Sequence, residues 1–407
     1  MKIIESRENQ SFLRRIKRHV VGPEHRFAVI TPPELAPICL KEIVGLGIQN
    51  AEVTEAGVEF TGKLTAAYEC NMKSRTATRV LCRLPQFRAG TREELFFKVS
   101  QVPWELWLNP EIPLEVQAQV AYSRISHEGE TAYTLFRGIE RGFRDRMPSA
   151  QPVSQYVPTG EDERGRTDLK QRILIRLIKN HCEISLDTTG SHLHERGYRL
   201  HHMGAPLRET LAAGILMKLD WNGEMPLIDG MCGSGTFPIE AAMIARDVPP
   251  GIGREFLFER WPSFQKGTWE FLCRSAKEVT SGNVPTIIGI DNDPEAVRVS
   301  NENAVRAGFG NEIEWKEMDF FEFDPMDRKL KNGLVVLNPP YGKRLDGGGK
   351  AFYERIGSQL RRFYRGWKYA VLAATRSEAS AMGFKSTRFW TIRHGGIPVS
   401  VAMGRVG

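Results

Sequence analysis

The 407 residues are 41% hydrophobic and 26% charged, with 56 Lys and Arg against 49 Asp and Glu, a formal net charge of +7. This is ordinary globular composition in a chain too long for one average domain, so two or three are expected. No run approaches the roughly 18 consecutive apolar residues of a membrane span. Charges interrupt the N-terminus, so it is not read as a secretory signal. Six cysteines are scattered without a CxxC pair, which predicts no disulfide framework and a reducing, cytoplasmic setting. The positive excess favours a polyanionic partner.

Residues 1–26 form a basic arm, with seven Lys and Arg against three Glu. Phe12, Leu13, Ile16 and Val20 recur there at helical spacing. The arm reads either as a helix packed on the body or as one that contacts nucleic acid. A strand at 27–31 leads through Pro32-Pro33 into a helix at 35–44. An alternating strand at 57–62, a helix at 64–79 and a strand at 80–87 complete a small α+β unit over 27–90. In a second unit, 91–195, helices are predicted at 93–101 and 131–146. Strands fall at 114–120, 173–179 and 183–187, and the polar segment 160–170 reads as a loop or hairpin tip. Arg137, Arg141 and Arg144 share one face of the second helix. They read either as a solvated charged face or as a stripe on phosphates. Trp104 and Trp107 are read as packing.

From about residue 205 the pattern becomes regular strand–helix alternation. Strands are predicted at 226–229, 286–291, 313–316, 333–338 and 368–374, with helices at 207–219, 236–246, 267–279, 294–307 and 352–364. That predicts an open, mostly parallel sheet with helices on both faces. Runs at 388–394 and 397–403 across Gly395-Gly396 add a terminal antiparallel hairpin.

Four signals carry chemistry. Asp229-Gly-Met-Cys-Gly-Ser-Gly-Thr236 spans a strand-to-helix turn, where open α/β sheets bind ligands. A dinucleotide fingerprint fails at Pro238, where its third glycine belongs, and a phosphate loop lacks its lysine. The remaining reading is a loop for the methionine end and ribose of S-adenosylmethionine, using Asp229, Gly230, Cys232, Gly233, Gly235 and Thr236. A purely structural turn competes with it. Next, Asp291 and Asn292 close an apolar strand, with Asp291 placed for ribose hydroxyls and Asp293 for capping the following helix. Asp319 and Phe320 follow the next strand, suited to an adenine amino group and ring, although capping explains Asp319 equally well.

The strongest signal is Asn338-Pro339-Pro340-Tyr341. Two prolines fix the backbone and remove two donors. Asn338 Oδ1 and the Pro339 carbonyl then suit the two hydrogens of an exocyclic amine, a matter of positioning and fixed dipoles. Tyr341 suits stacking on an unpaired base.

In this order the motifs resemble the THUMP-domain RNA methyltransferases that form N2-methylguanosine. Leu193-His-Glu-Arg-Gly-Tyr-Arg199, Ala205-Pro-Leu-Arg-Glu-Thr-Leu-Ala212 and Phe258-Glu-Arg-Trp261 are similar to elements of the bacterial branch acting on large-subunit ribosomal RNA, as is the long insertion 247–285. The resemblance implies a seven-stranded class I methyltransferase domain at 200–407. Ahead of it would stand a ferredoxin-like domain at 27–90 and a THUMP RNA-binding domain at 91–195. It further implies S-adenosylmethionine as cofactor, 23S ribosomal RNA as partner, and catalysis by Asn338, Pro339, Pro340 and Tyr341. One departure is Gly230, where the family has proline, which is expected to loosen the loop. Cys232 is expected to pack as a small apolar residue rather than act as a nucleophile. His192, His194, His201 and His202 lack partners at metal-ligand spacing. Transfer RNA as substrate, adenine-N6 methylation of DNA, and a non-catalytic RNA-binding or ribosome-assembly factor are the alternatives.

Overall fold

The computed structural model describes residues 2–148, 156–157, 170–199, 207–278, 284–340 and 349–407. Its contacts divide the chain into two interleaved units. One comprises Met1–Thr31, Leu40–Leu193 and Gly253–Cys273, the other Pro32–Cys39, His194–Ile252 and Arg274–Gly407. Two expected features, most of the loop at 160–170 and the histidines His201 and His202, lie outside the described residues, as does Tyr341.

The first unit runs α1 (Lys2–Ile16), β1 (His25–Ile30), α2 (Ala36–Gly45), β2 (Glu52–Thr54), β3 (Gly57–Gly62), α3 (Leu64–Lys73), β4 (Arg79–Arg83), β5 (Phe87–Arg88), α4 (Arg92–Gln101), β6 (Leu114–Ala121), α5 (Glu128–Arg146), β7 (Tyr156–Val157), β8 (Gln171–Ile178) and β9 (His181–Asp187). Nine strands make one sheet, ordered β2-β3-β1-β4-β9-β8-β6-β7 with β5 also on β9. The β4–β9 pairing joins the stretches 27–90 and 91–195 in that sheet. The N-terminal arm packs: Ile16 and Val20 are buried and Arg15 pairs with Glu105.

Two local expectations change. Helix α3 stops at Lys73, short of residue 79, because Glu42 captures the chain that follows. Its carboxylate accepts from the Arg75 N–H (2.6 Å), the Thr76 N–H (3.1 Å) and the Ser74 and Thr76 hydroxyls. Those donors are then unavailable to a helical ladder. The arginine face of α5 is neutralised within its own helix: Arg137 and Arg144 pair with Glu140, and Arg141 with Asp145. This is the solvated charged face rather than a free cationic stripe. Part of the long insertion also belongs here. Phe258 stacks on Tyr68 at 4.3 Å, and Trp261 Nε1–H donates to Gln171 Oε1 at 2.7 Å.

The second unit runs α6 (Glu209–Lys218), β10 (Leu227–Asp229), α7 (Thr236–Ala245), α8 (Lys266–Glu278), β11 (Ile287–Asp291), α9 (Pro294–Arg306), β12 (Ile313–Glu317), β13 (Leu334–Leu337), α10 (Gly349–Phe363), β14 (Lys368–Ala373), α11 (Arg376–Ser380), β15 (Arg388–His394) and β16 (Ile397–Arg405), with α8, like α2, divided between the two units. Its seven strands are ordered β12-β11-β10-β13-β14-β16-β15. The first five are parallel, and β16 is antiparallel to both neighbours. Central strands read as continuous apolar runs because both faces are covered. Leu334 and Val336 enter one core, Val335 and Leu337 the other. Strand order reverses at β10, whose neighbours are β11 and β13, so a crevice opens at the carboxyl ends of these three strands.

Candidate active site

That crevice is a cavity of about 940 Å³, lined by Asp229, Gly230, Cys232, Gly233, Thr236, Asp291, Asn292, Asp319, Phe320, Asn338, Pro339 and Pro340 among others. All but two of the proposed site residues therefore converge, from four different strand ends. Tyr341 is outside the described residues. Gly235 sits behind the loop: its φ is +81°, and a Cβ there would stand 2.8 Å from Trp315 Cη2. It serves the turn and its packing, not the cavity wall.

The loop is held by its neighbours rather than by a ligand. Cys232 N–H donates to the Ile290 carbonyl (2.9 Å) and Gly235 N–H to the Cys232 carbonyl (2.8 Å). From α9, the Ser300 hydroxyl donates to the Gly233 carbonyl (2.7 Å) and Asn303 Nδ2 to the Ser234 carbonyl (3.0 Å). Gly230 tightens the loop, contrary to the expected loosening. Its N–H donates to the Val336 carbonyl at 3.1 Å, a bond proline lacks. A Cβ there would also stand 2.6 Å from Leu337 Cδ2 and collide with the Phe320 ring.

Asp291 pins the loop and faces the cavity. Oδ2 accepts from Gly233 N–H (2.9 Å) and Oδ1 from Asp293 N–H (3.1 Å), yet each carboxylate oxygen keeps a lone pair. Asp293 caps α9, accepting from Glu295 N–H at 2.9 Å. Asp319 accepts from Phe321 N–H at 3.0 Å and lies 3.5 Å from Arg355. Burial holds the carboxyl of Asp229 well above the ordinary range, with the charge of Asp291 adding to it. Burial, with Asp229 and Asp291 nearby, also pushes the Cys232 thiol up, so it stays protonated and is no nucleophile.

Asn338 is the exception to this closed bonding. Its Oδ1 is buried and has no hydrogen-bond partner among the described residues. A buried acceptor left unpaired costs about 1–3 kcal/mol, and such an atom in a cavity wall calls for a donor from a ligand.

Sequence reading missed part of the wall. Phe321, Phe352, Arg355, His394, Gly395 and Ile397 also line the cavity. The Arg355 guanidinium lies 3.7 Å from the Phe321 ring centre. His394 to Ile397 come from the β15–β16 turn, which the sheet order brings to this crevice.

A cavity of this size accommodates a nucleoside-bearing cofactor together with a second planar group. The glycine turn after the first parallel strand, the acidic residues closing the next two, and an Asn338 Oδ1 with no partner among the described residues fit S-adenosylmethionine and an amine. Fold and site together define an S-adenosylmethionine-dependent methyltransferase of class I. Residues 196–401 match the RMKL-like methyltransferase domain, and residues 26–81 match the RlmL ferredoxin-like domain. The chain belongs to the RMKL-like methyltransferase family. It is 30% identical to the putative RNA methyltransferase slr0064 of Synechocystis, over 90% of this chain and 93% of that protein. It is 31% identical to the ribosomal RNA large subunit methyltransferase K/L of Syntrophotalea carbinolica, over 91% of this chain but 52% of that protein, so it spans about half that relative's length. The crystal structure of SMU.472, a putative methyltransferase complexed with SAH, superposes with a TM-score of 0.82 at 27% identity, covering 95% of this chain and 99% of that one. Among the described residues, no helix is long and apolar enough to cross a membrane, and no cluster of His, Cys, Asp or Glu is arranged to hold a metal ion.

Proposed function

We propose that this methyltransferase acts on RNA, methylating the exocyclic N2 amine of a guanine in 23S ribosomal RNA. The kinship with a putative RNA methyltransferase and with large-subunit ribosomal RNA enzymes supports the substrate class. The observation that carries the chemistry is the Oδ1 of Asn338 in the cavity wall, buried and without a hydrogen-bond partner among the described residues. In this reading 27–90 is the ferredoxin-like domain, 91–195 a THUMP RNA-binding domain, 200–407 the catalytic domain and 1–26 a basic arm.

When bound, S-adenosylmethionine supplies an electrophilic methyl group on a sulfonium sulfur. Asp229 and the 230–236 loop would hold its methionine end, Asp291 and Asn292 its ribose, and Asp319 with Phe320 its adenine. The amine of guanine is a weak nucleophile, because its lone pair is delocalised into the ring. Asn338 Oδ1 and the Pro339 carbonyl accept its two hydrogens and turn the lone pair toward the methyl group. Pro340 stiffens the turn, and Tyr341 stacks on the extruded base.

The test uses the full chain, methyl-labelled S-adenosylmethionine, and undermethylated 23S rRNA, tRNA and DNA in parallel, with nucleoside analysis. Labelled N2-methylguanosine from 23S rRNA is the expected result. Asn338→Ala is expected to lose methyl transfer by about a hundredfold or more while still binding the cofactor. Full activity in that variant refutes the mechanism. Label in tRNA, or N6-methyladenine in DNA, replaces the substrate, and absence of cofactor binding revives a non-catalytic role.

A further inference from the structure

Far from the crevice in sequence, the ends of β6 and β8 in the first unit form a corner that displays an exposed aromatic ring. Tyr122 follows β6 with φ +51° and is 87% exposed. A bulky residue in the left-handed region is disfavoured relative to glycine or asparagine. Such strain persists only where the surroundings enforce it, and it concentrates at functional sites.

Here the surroundings are well defined. Lys179 and Asn180, with φ +52° and +62°, form the two-residue turn between β8 and β9. Lys179 N–H donates to the Ala121 carbonyl (3.1 Å), and Ala89 N–H to the Asn180 carbonyl (2.9 Å). Asn180 N–H donates to Ser123 Oγ (3.0 Å), and Arg124 N–H to Asn180 Oδ1 (2.9 Å). Arg88 is drawn in by its register with His181, and Lys98 Nζ donates to the Arg88 carbonyl at 2.6 Å. Arg88, Lys98, Tyr122, Arg124 and Lys179 are therefore gathered, all exposed, at one end of the sheet. None of the four cations has an ion-pair partner among the described residues, whereas Arg137, Arg141 and Arg144 on α5 all do. Of the acidic residues nearby, Glu94 accepts from the Gly90 N–H and Glu128 from the Val120 N–H.

We propose that this corner is a binding site for single-stranded RNA, in which a base stacks on Tyr122 while Arg88, Lys98, Arg124 and Lys179 meet the flanking phosphates. An exposed ring offers a face to any base, and cations without an ion-pair partner beside it track a phosphate chain. The proposal rests on the reading that the substrate is RNA. It adds a contact on the first unit to those made at the crevice.

The experiment titrates the full chain against a fluorescent oligouridine, a duplex RNA of equal length and undermethylated 23S rRNA, at several salt concentrations. Cofactor binding, followed by calorimetry, reports on folding. Tyr122→Ala is expected to weaken oligouridine binding about tenfold or more, and Tyr122→Phe to leave it unchanged. Arg124→Glu with Lys179→Glu is expected to lower the slope of log affinity against log salt by about 1.4, two single-strand phosphate contacts. Tyr122→Gly relieves the backbone strain, so it is expected to melt higher than the parent while binding RNA less well. This last variant keeps the test meaningful should the alanine form fold poorly. If the parent binds oligouridine and the Tyr122 variants bind it equally, the corner is not the site and the substrate reading stands. If the parent binds no RNA of any kind, both readings fall.

Discussion

Glu209 lies 3.3 Å from the Arg199 guanidinium, and burial nevertheless pushes its carboxyl up to about 7. Arg199 also donates to the Thr236 hydroxyl at 2.6 Å, so this charge cluster abuts the first residue of α7 at the cavity. A carboxyl raised this way keeps its full contribution to stability below its ordinary 4.5 and loses it as pH climbs through about 7, because the folded state binds the extra proton. The groups facing it are Arg199, Arg196, Glu240 and Tyr198. Glu209→Gln removes the titration, so its melting temperature is expected to vary less with pH across that window. An unchanged profile would assign the dependence to another group. At this scale the crevice was legible where chemistry and turn geometry coincide, as at Asp229, Gly233 and Asn338. Arg355 and His394 were not legible, since nothing adjacent in sequence marks a residue that topology alone brings to a wall. The effect of Gly230 was misjudged because its N–H bond and its contact with Phe320 are tertiary.

Helix α3 shows how an element's end is decided elsewhere. The run 64–79 has the composition to continue, but a glutamate on α2 takes the donors of residues 74–76. Glu42→Ala leaves two backbone N–H groups without that acceptor. It is expected to cost about 3 kcal/mol, read as a fall in denaturation midpoint, whereas Glu42→Gln retains an acceptor and costs less. Equal losses for both variants would show that charge, not acceptance, matters. The strands β11, β13 and β14 were legible as apolar runs because helices cover both faces. The short β2, β5 and β7 were not, since two or three residues at a sheet edge carry no pattern.

At the scale of the whole molecule, the two units exchange segments along the chain, and the core of the second depends on a piece far upstream. Leu35 is fully buried among Leu207, Leu211 and Ile215, against the face of α6 at Gly214. Leu35→Ala is expected to cost about 3 kcal/mol. A fragment beginning at residue 194 is expected to be less stable than the same unit in the full chain, measured by its melting temperature with cofactor present. Equal stability would show that the 32–39 segment is dispensable. Nothing in the local sequence around Leu35 assigns it to this core, because helical periodicity reports a buried face and not which partner buries it.

The position of β16 bears on how the protein is made. Because β16 separates β14 from β15, β15 has no place in the sheet until β16 exists, and the edge of β14 waits for residues 397–405 to leave the ribosome. That edge, from Tyr369 to Ala373, is wholly apolar and fully covered in the finished fold. A nascent chain that has emerged only through β15 therefore presents an open, sticky template.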